Sequence, residues 1–192
     1  VDGVSKDNTV ALVNSYTDRF LAKGYGLKMI SEKDRGLYDA MNKGVLMATG
    51  DIIGILNSDD FYIDESVISK VVARMNETQT ECLYADLQYV DREDTSKVVR
   101  TWKARQGRIR FGWIPPHPTT FISKEAYKKI GLYKTDYKIS SDYDILYRLI
   151  RKEKIAVTYL PEFIVRMRSG GVSTNGLKAI YVGSKEIYIT LK

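Results

Sequence analysis

The 192-residue chain reads as an α/β domain, and three observations predict it. Short apolar segments bounded by turn residues alternate with helical patterns, which is the order of a sheet flanked by helices. The run Gly50-Asp51-Ile52-Ile53-Gly54-Ile55-Leu56-Asn57-Ser58-Asp59-Asp60 has buried-strand character and closes on an amide and two acids. That is how an α/β protein sets charge at the carboxyl end of a strand, where open sheets bind ligands. Finally, 44% hydrophobic and 28% charged side chains fit one globular domain, residues 1–192, with a substantial core.

Taken in order, Asp2 to Thr9 is a polar turn whose Ser5 or Asp7 can cap a helix from about Thr9 to Leu21. Leu27 to Ile30 reads as a strand. Ala40, Met41, Gly44, Val45 and Ala48 recur at three- and four-residue spacing, predicting a helix from Leu37 to Met47 that Thr49-Gly50 ends. Ile52 to Leu56 is the buried strand, and a helix over Glu65 to Met75 follows. Strands near Leu83 to Val90 and Val98 to Trp102 flank a polar turn at Arg92 to Ser96. Thr119 to Ile122 is a further strand. A late helix opens at Ser140-Ser141-Asp142-Tyr143-Asp144 and carries Ile145, Leu146, Leu149 and Ile150 inward, before strands at Ala156 to Tyr159 and Phe163 to Met167.

The chain opens on a turn, with no strand before it, where a doubly wound fold begins with a strand and helix. The expectation is an N-terminally truncated domain. Val1-Asp2-Gly3 begins no basic-then-apolar leader, and no run approaches the roughly 18 to 20 apolar residues of a spanning helix. The expected location is cytoplasmic, with peripheral contact at the inner face of a membrane left open. Cys82, the one cysteine, reads as a buried small hydrophobe. The single His117 excludes a multi-histidine metal site within the chain, which leaves oxygen-ligand cations, Mg²⁺ or Mn²⁺.

Several segments, in order, resemble family 2 glycosyltransferases. They are Asp2 to Thr9, Glu32-Lys33-Asp34-Arg35-Gly36-Leu37-Tyr38-Asp39 through Gly44, Ala48 to Asp51, Asn57-Ser58-Asp59-Asp60, Pro116 to Phe121, Ser141 to Asp144, and Gly170-Gly171-Val172-Ser173. The resemblance implies a GT-A fold: a mixed, mostly parallel sheet flanked by helices, binding a nucleoside diphosphate sugar, most simply a UDP-sugar, and a divalent cation. Family members begin with a further strand, helix and strand ahead of the Asp-Gly turn.

Sugar transfer from such a donor needs charge neutralisation at the leaving diphosphate and a base for the acceptor hydroxyl. By resemblance Asn57-Ser58-Asp59 matches the family's Asp-X-Asp element with an amide in first place, so Asp59 is the metal ligand, with Asp60 second. Locally, the same acids also suit a turn or a helix cap before Glu65. Asp2 resembles the acid that hydrogen-bonds the donor base, against a plain turn aspartate. Asp34, Arg35 and Asp39 lie where members contact nucleotide or diphosphate, while Met41 stands where many carry arginine. Asp142 resembles the second acid of the family's Glu-Asp pair and is the candidate base, with Ser141 in the place of the glutamate. The local alternative is a capping box of Ser141 with Asp144. Two residues apart on a helix, Asp142 and Asp144 face different ways. His117, held extended between two prolines, is an acceptor-side or phosphate-side candidate against a structural hydrogen bonder.

Lys97, Arg100, Lys103, Arg105, Arg108 and Arg110 interleave with Trp102, Phe111 and Trp113 in a chain of net charge +6. Residues 97–113 therefore suit a lipid surface or phosphate-bearing acceptor, or form a solvated face; no nucleic-acid motif accompanies them. The expected function is metal-dependent, inverting transfer of a sugar to a saccharide or lipid-linked acceptor in surface polysaccharide or glycolipid assembly. A non-catalytic sugar-nucleotide or polysaccharide-binding module, a nucleotidyltransferase and a basic nucleic-acid-binding protein are the alternatives. An exposed sheet edge leaves homodimer formation open.

Overall fold

The computed structural model describes residues 1–107, 109, 113–170 and 176–192, which divide into two compact units, Val1–Thr49 and Gly50–Lys192. In the first, α1 (Thr9–Ser15) and α2 (Thr17–Ala22) replace the single helix expected over Thr9 to Leu21. The break falls at Tyr16, whose N–H bonds Val13 O at 3.1 Å, and Ser15 Oγ turns back onto Leu12 O at 2.7 Å. A hydroxyl bonding its own helix competes with the regular ladder in this way. The N-cap of α1 is Asn8, whose side chain makes no capping bond, and Asp7 before it accepts from Thr9 N at 3.0 Å.

The strand expected over Leu27 to Ile30 is a single parallel bridge between Asp2 and Ser31, held by Asp2 N to Ile30 O and Glu32 N to Asp2 O. Only one residue lies alongside, so no ladder propagates. The third helix, α3 (Leu37–Met47), matches its expected bounds and buries Tyr38, Met41, Asn42 and Val45.

The second unit holds a six-stranded mixed sheet of β1 (Ile52–Gly54), β2 (Phe61–Tyr62), β3 (Cys82–Val90), β4 (Val98–Trp102), β5 (Phe121–Ser123) and β6 (Val157–Arg168). Its order is β1-β5-β3-β6-β2, with β4 also on β3. The α/β character is as expected, but the parallel majority is not. Only β3 and β6 pair in parallel, and the other four pairings are antiparallel. Antiparallel neighbours nevertheless leave β1, β3 and β6 running the same way, so their carboxyl ends share one edge.

Two strands expected at the end of the domain are one continuous β6. Its register against β3 jumps from Ala85↔Leu160 to Asp86↔Phe163, so Pro161 and Glu162 bulge out. A proline that cannot donate to the ladder is tolerated at such a bulge. Residue Thr119, expected to start a strand, instead ends a 3₁₀ turn (His117–Thr119), and β5 begins two residues later.

Helix α4 (Val67–Thr78) lays Val67, Val71 and Met75 on Leu83, Ala85, Leu87, Phe121, Leu160, Ile164 and Val165 to form the core. Gly54 faces Phe121 so closely that a Cβ there would stand 2.5 Å from the ring. Cys82 is buried in β3, and burial pushes its thiol pKa up, as fits a small core hydrophobe. Helix α5 (Lys124–Ile130) follows β5 and is capped by Ser123, whose Oγ accepts from Ala126 N at 3.0 Å. Helix α6 (Ser141–Tyr147) passes into a π turn (Arg148–Lys152), and α7 (Leu177–Leu191) ends the chain. No helix among the described residues is long and apolar enough to cross a membrane.

Candidate active site

The loop leaving the carboxyl end of β1 is a turn closed by Asp60 N to Asn57 O at 3.1 Å. Within it Asn57 Nδ2 donates to Asp60 Oδ2 at 3.4 Å, which gives the amide at the first motif position a local task. Asp59 is half-buried, and its carbonyl accepts from Arg168 Nη1 at 2.6 Å. That guanidinium, at the carboxyl end of β6, lies 5.5 Å over the Phe61 ring.

Asp60 is 7% exposed, and its Oδ1 has no hydrogen-bond partner. Burial first, and the neighbouring Asp59 charge second, push its carboxyl pKa up to about 6, against the opposing pull of Asn57 and Arg168. A buried carboxylate oxygen without a donor is costly unless a ligand satisfies it. Among the described residues no group of three or more His, Cys, Asp or Glu gathers to form an all-protein cation cage. Two adjacent acids with an orphaned oxygen fit a hard cation that keeps most of its shell for water and substrate phosphate, as Mg²⁺ does.

His117 and Asp142 come together. His117 Nε2 meets Tyr133 Oη at 2.8 Å, and Tyr133 Oη meets Tyr127 Oη at 3.1 Å. Burial lowers the His117 pKa, which the nearby Asp142 charge partly opposes. The turn carrying His117 is fixed on the sheet because Thr119 Oγ1 donates to Ala85 O at 2.7 Å and accepts from Ala85 N at 3.2 Å. Asp142 Oδ1 accepts from Tyr143 N at 2.8 Å.

The neighbouring acid is structural. Asp144 is 1% exposed and binds Lys134 and Arg148, each at 2.7 Å, and Thr190 Oγ1 at 3.1 Å. Burial alone would raise its pKa, but the two cations outweigh it and the net shift is downward. The capping box expected of Ser141 with Asp144 is therefore absent: Asp144 faces the core, and Ser141 is buried with no partner for its Oγ. The approach to the helix is held from outside, by Glu186, which accepts from the N–H groups of Lys138, Ile139 and the N-cap residue Ser140 at 2.7 to 3.0 Å.

The first unit gathers the other acids around a residue that motif reading passed over. Lys43 Nζ stands 2.9 Å from Glu32, 2.8 Å from Asp34 and 3.6 Å from Asp39, and donates to Lys33 O. Its pKa is raised, first by Asp34 and then by Glu32. Arg35 pairs with Asp39 at 3.1 Å through both its side chain and its backbone N–H. Asp2 accepts from Ser31 Oγ, Ser5 Oγ, Ser5 N and Val4 N, and these bonds, Ser31 first, hold its carboxyl at about 2. A carboxylate has about four acceptor positions, so contact with a base requires one of the serines to turn away. The i,i+4 spacing of Asp39 and Lys43 was the available signal for Lys43. Arg168 gave none beyond following an apolar run.

In the basic stretch 97–113, Arg108, Arg110 and Phe111 lie outside the described residues. Both tryptophans there are at least half-buried. Trp113 packs edge-on to Tyr84 at 5.3 Å and donates Nε1–H to Ala104 O at 2.9 Å. Arg100 lies 5.0 Å over the Tyr89 ring. The two tryptophans thus serve the fold, and Lys97, Arg100, Lys103 and Arg105 are exposed beside Val98 and Val99.

A family model described as Glycosyl transferase family 2 matches residues 1–154. The chain is 27% identical over 181 residues to a PGL/p-HBAD biosynthesis glycosyltransferase of Mycobacterium bovis (strain BCG / Pasteur 1173P2), covering 90% of this chain and 66% of that protein. It is 28% identical over 153 residues to an uncharacterized glycosyltransferase of Mycobacterium tuberculosis (strain ATCC 25618 / H37Rv), covering 77% of this chain and 55% of that one. Among solved structures, TarS 1–349 of S. aureus in complex with UDP superposes with a TM-score of 0.66 at 15% identity, over 97% of this chain and 54% of that one. Mannosyltransferase PcManGT from Pyrobaculum calidifontis, in complex with GDP-Man and Mn²⁺, gives 0.63 at 15% identity, over 98% and 51%. These likenesses establish the fold as GT-A. The chain spans just under two thirds of the M. bovis relative and about half of the solved neighbours.

Proposed function

Because the chain belongs to glycosyl transferase family 2, we propose that it carries the donor-site chemistry of a sugar transfer from a nucleoside diphosphate sugar to an acceptor hydroxyl, with inversion. The observation that carries this reading is the orphaned Asp60 Oδ1 beside Asp59 at the shared carboxyl ends of β1 and β6. Asp59 and Asp60 would hold Mg²⁺ or Mn²⁺ there, with Asn57 fixing the turn; when bound, the cation would supply charge neutralisation at the departing diphosphate. Arg168 pins the Asp59 carbonyl and keeps the loop at the strand ends. Asp142 accepts the proton of the attacking hydroxyl. His117, neutral because of its burial, orients that hydroxyl or relays through Tyr133.

Asp34, Arg35 and Asp39 are the proposed nucleotide contacts of the first unit, and Asp2 is the base contact. The donor is a UDP-sugar, supported by the UDP complex of TarS, with a GDP-sugar as the other choice given the GDP-Man complex of the mannosyltransferase. The acceptor is a saccharide or lipid-linked hydroxyl in surface polysaccharide or glycolipid assembly, and the cytoplasmic face is the proposed location. We further propose that residues 1–192 act as one domain.

A donor-binding module without turnover is the second reading, favoured by Ser141, whose buried hydroxyl stands in the place of an acid. The test is transfer from UDP- and GDP-sugars by the full-length enzyme and its Asp59→Asn and Asp142→Asn variants. Loss of transfer in both supports the assignment, and unchanged transfer in both ends it. Donor binding without diphosphate release in the unsubstituted enzyme would select the second reading.

A further inference from the structure

Helix α7 is amphipathic the wrong way round for a helix of a water-exposed surface. Its inward face is polar. Glu186, 8% exposed, holds the segment leading into α6 through the N–H groups of Lys138, Ile139 and Ser140, and Thr190, 5% exposed, bonds Asp144 and Tyr137. Gly183 completes that face. Its carbonyl accepts from Ser140 Oγ at 3.1 Å, and a Cβ there would come within 3.3 Å of Ile139 and Ser140. Close approach of α7 is thus bought by a glycine and by buried hydrogen bonds.

The outward face is apolar and aromatic. Ile180, Tyr181, Tyr188, Ile189 and Leu191 are 58%, 71%, 59%, 49% and 50% exposed. At 100° per residue Ile180 and Leu191 fall together, Tyr188 and Tyr181 lie beside them, and Lys192, Lys185 and Lys178 form the next stripe, with Ile189 beyond. All three lysines are exposed, Lys192 lies 4.8 Å over the Tyr188 ring, and the only acid of the helix, Glu186, is buried. The exposed face therefore carries positive charge alone.

We infer that this face of α7 docks on an anionic lipid bilayer. Unopposed lysines select a negative partner. Tyr181 and Tyr188 stand at the middle of this face, with Ile180 and Leu191 on one side and the lysines on the other, so the aromatic and aliphatic side chains reach the acyl boundary while the lysines reach the phosphate plane. The stripe from Ile180 to Leu191 spans roughly 16 Å, so the helix lies in the surface plane and does not cross it. The inference does not depend on the catalytic reading.

The experiment is flotation of the full chain with phosphatidylcholine vesicles, with and without phosphatidylglycerol. Binding should require the anionic lipid and weaken with salt. Lys178→Gln, Lys185→Gln and Lys192→Gln should each cost about fivefold in partitioning, and the triple variant roughly a hundredfold. Tyr181→Ser with Tyr188→Ser should also release the chain, with the thermal midpoint unchanged because these side chains are exposed. Equal binding of triple variant and parent, or no binding of the parent to anionic vesicles at low salt, overturns the inference. So does a concentration-dependent dimer that the tyrosine variant abolishes, since the face would then meet a second copy.

Discussion

Two acid-rich regions of this chain, each matching a family motif, differ in whether their charges are already answered. In the first unit the acids of the matching motifs have partners: Glu32, Asp34 and Asp39 share the Lys43 ammonium, Arg35 adds to Asp39, and Asp2 is wrapped by two serines. In the turn after β1, Asp60 is buried beside another acid with one oxygen unanswered. The contrast shows in their titration, with Asp2 held at about 2 and Asp60 pushed to about 6. A satisfied cluster shapes a loop; an unsatisfied one stores a cost that a cation can relieve.

The sharpest way to break the contrast is to remove the acids of the second cluster. Asp59→Asn should lower transfer by the full-length enzyme by about a hundredfold or more, read as turnover at saturating donor and Mn²⁺. Asp60→Asn should do the same to metal-dependent binding while raising stability at pH 7 by about 1–3 kcal/mol, because it removes a buried charge that Asn57 and Arg168 answer only in part. A denaturant midpoint that falls in this variant would show that Asp60 is structural.

A second prediction concerns pH. The Asp60 carboxyl titrates above its unfolded value of 3.8, so the folded state binds the extra proton between there and about 6. Its contribution to stability is therefore lost as pH rises through 6, and the cation, which needs the carboxylate, binds more tightly over the same interval. Mn²⁺ titration at pH 5 and pH 7 should give the tighter binding at pH 7, and equal affinity would remove Asp60 from the site.

The support beneath the second cluster is next in size. Gly54→Ala places a methyl into the Phe121 ring and should cost about 1–3 kcal/mol by chemical denaturation. Last comes the satisfied cluster. Lys43→Met should lower the thermal midpoint of the first unit, with a smaller loss at high salt because its acids are near water. A midpoint indifferent to Lys43 would mean the cluster does not shape its loop.

Much of this arrangement was legible in the residues, for reasons that differ by element. The bounds of α3 were readable because its apolar residues keep helical spacing, and β3 was readable to within one residue as a long apolar run. The turn at Asn57 to Asp60 announced itself by closing such a run on acids. The two-residue β2 carries no local pattern, since it exists by pairing with Val165 and Arg166 a hundred residues on. Continuity of β6 across Pro161 likewise depends on its neighbour β3. Asp144 looked like a capping acid until Lys134, Arg148 and Thr190 closed around it. Helix α7 misleads a periodicity argument altogether, because its apolar residues mark the outer face.

The most direct test of the central claim is calorimetric titration of this chain with UDP and GDP, in Mn²⁺ and again in EDTA, beside its Asp60→Asn variant. The account predicts that one nucleotide binds with Mn²⁺, that EDTA abolishes the binding, and that the variant has lost it while remaining folded. Nucleotide binding that is the same in Mn²⁺, in EDTA and in the variant would contradict it, leaving the unanswered carboxylate without a ligand to explain it.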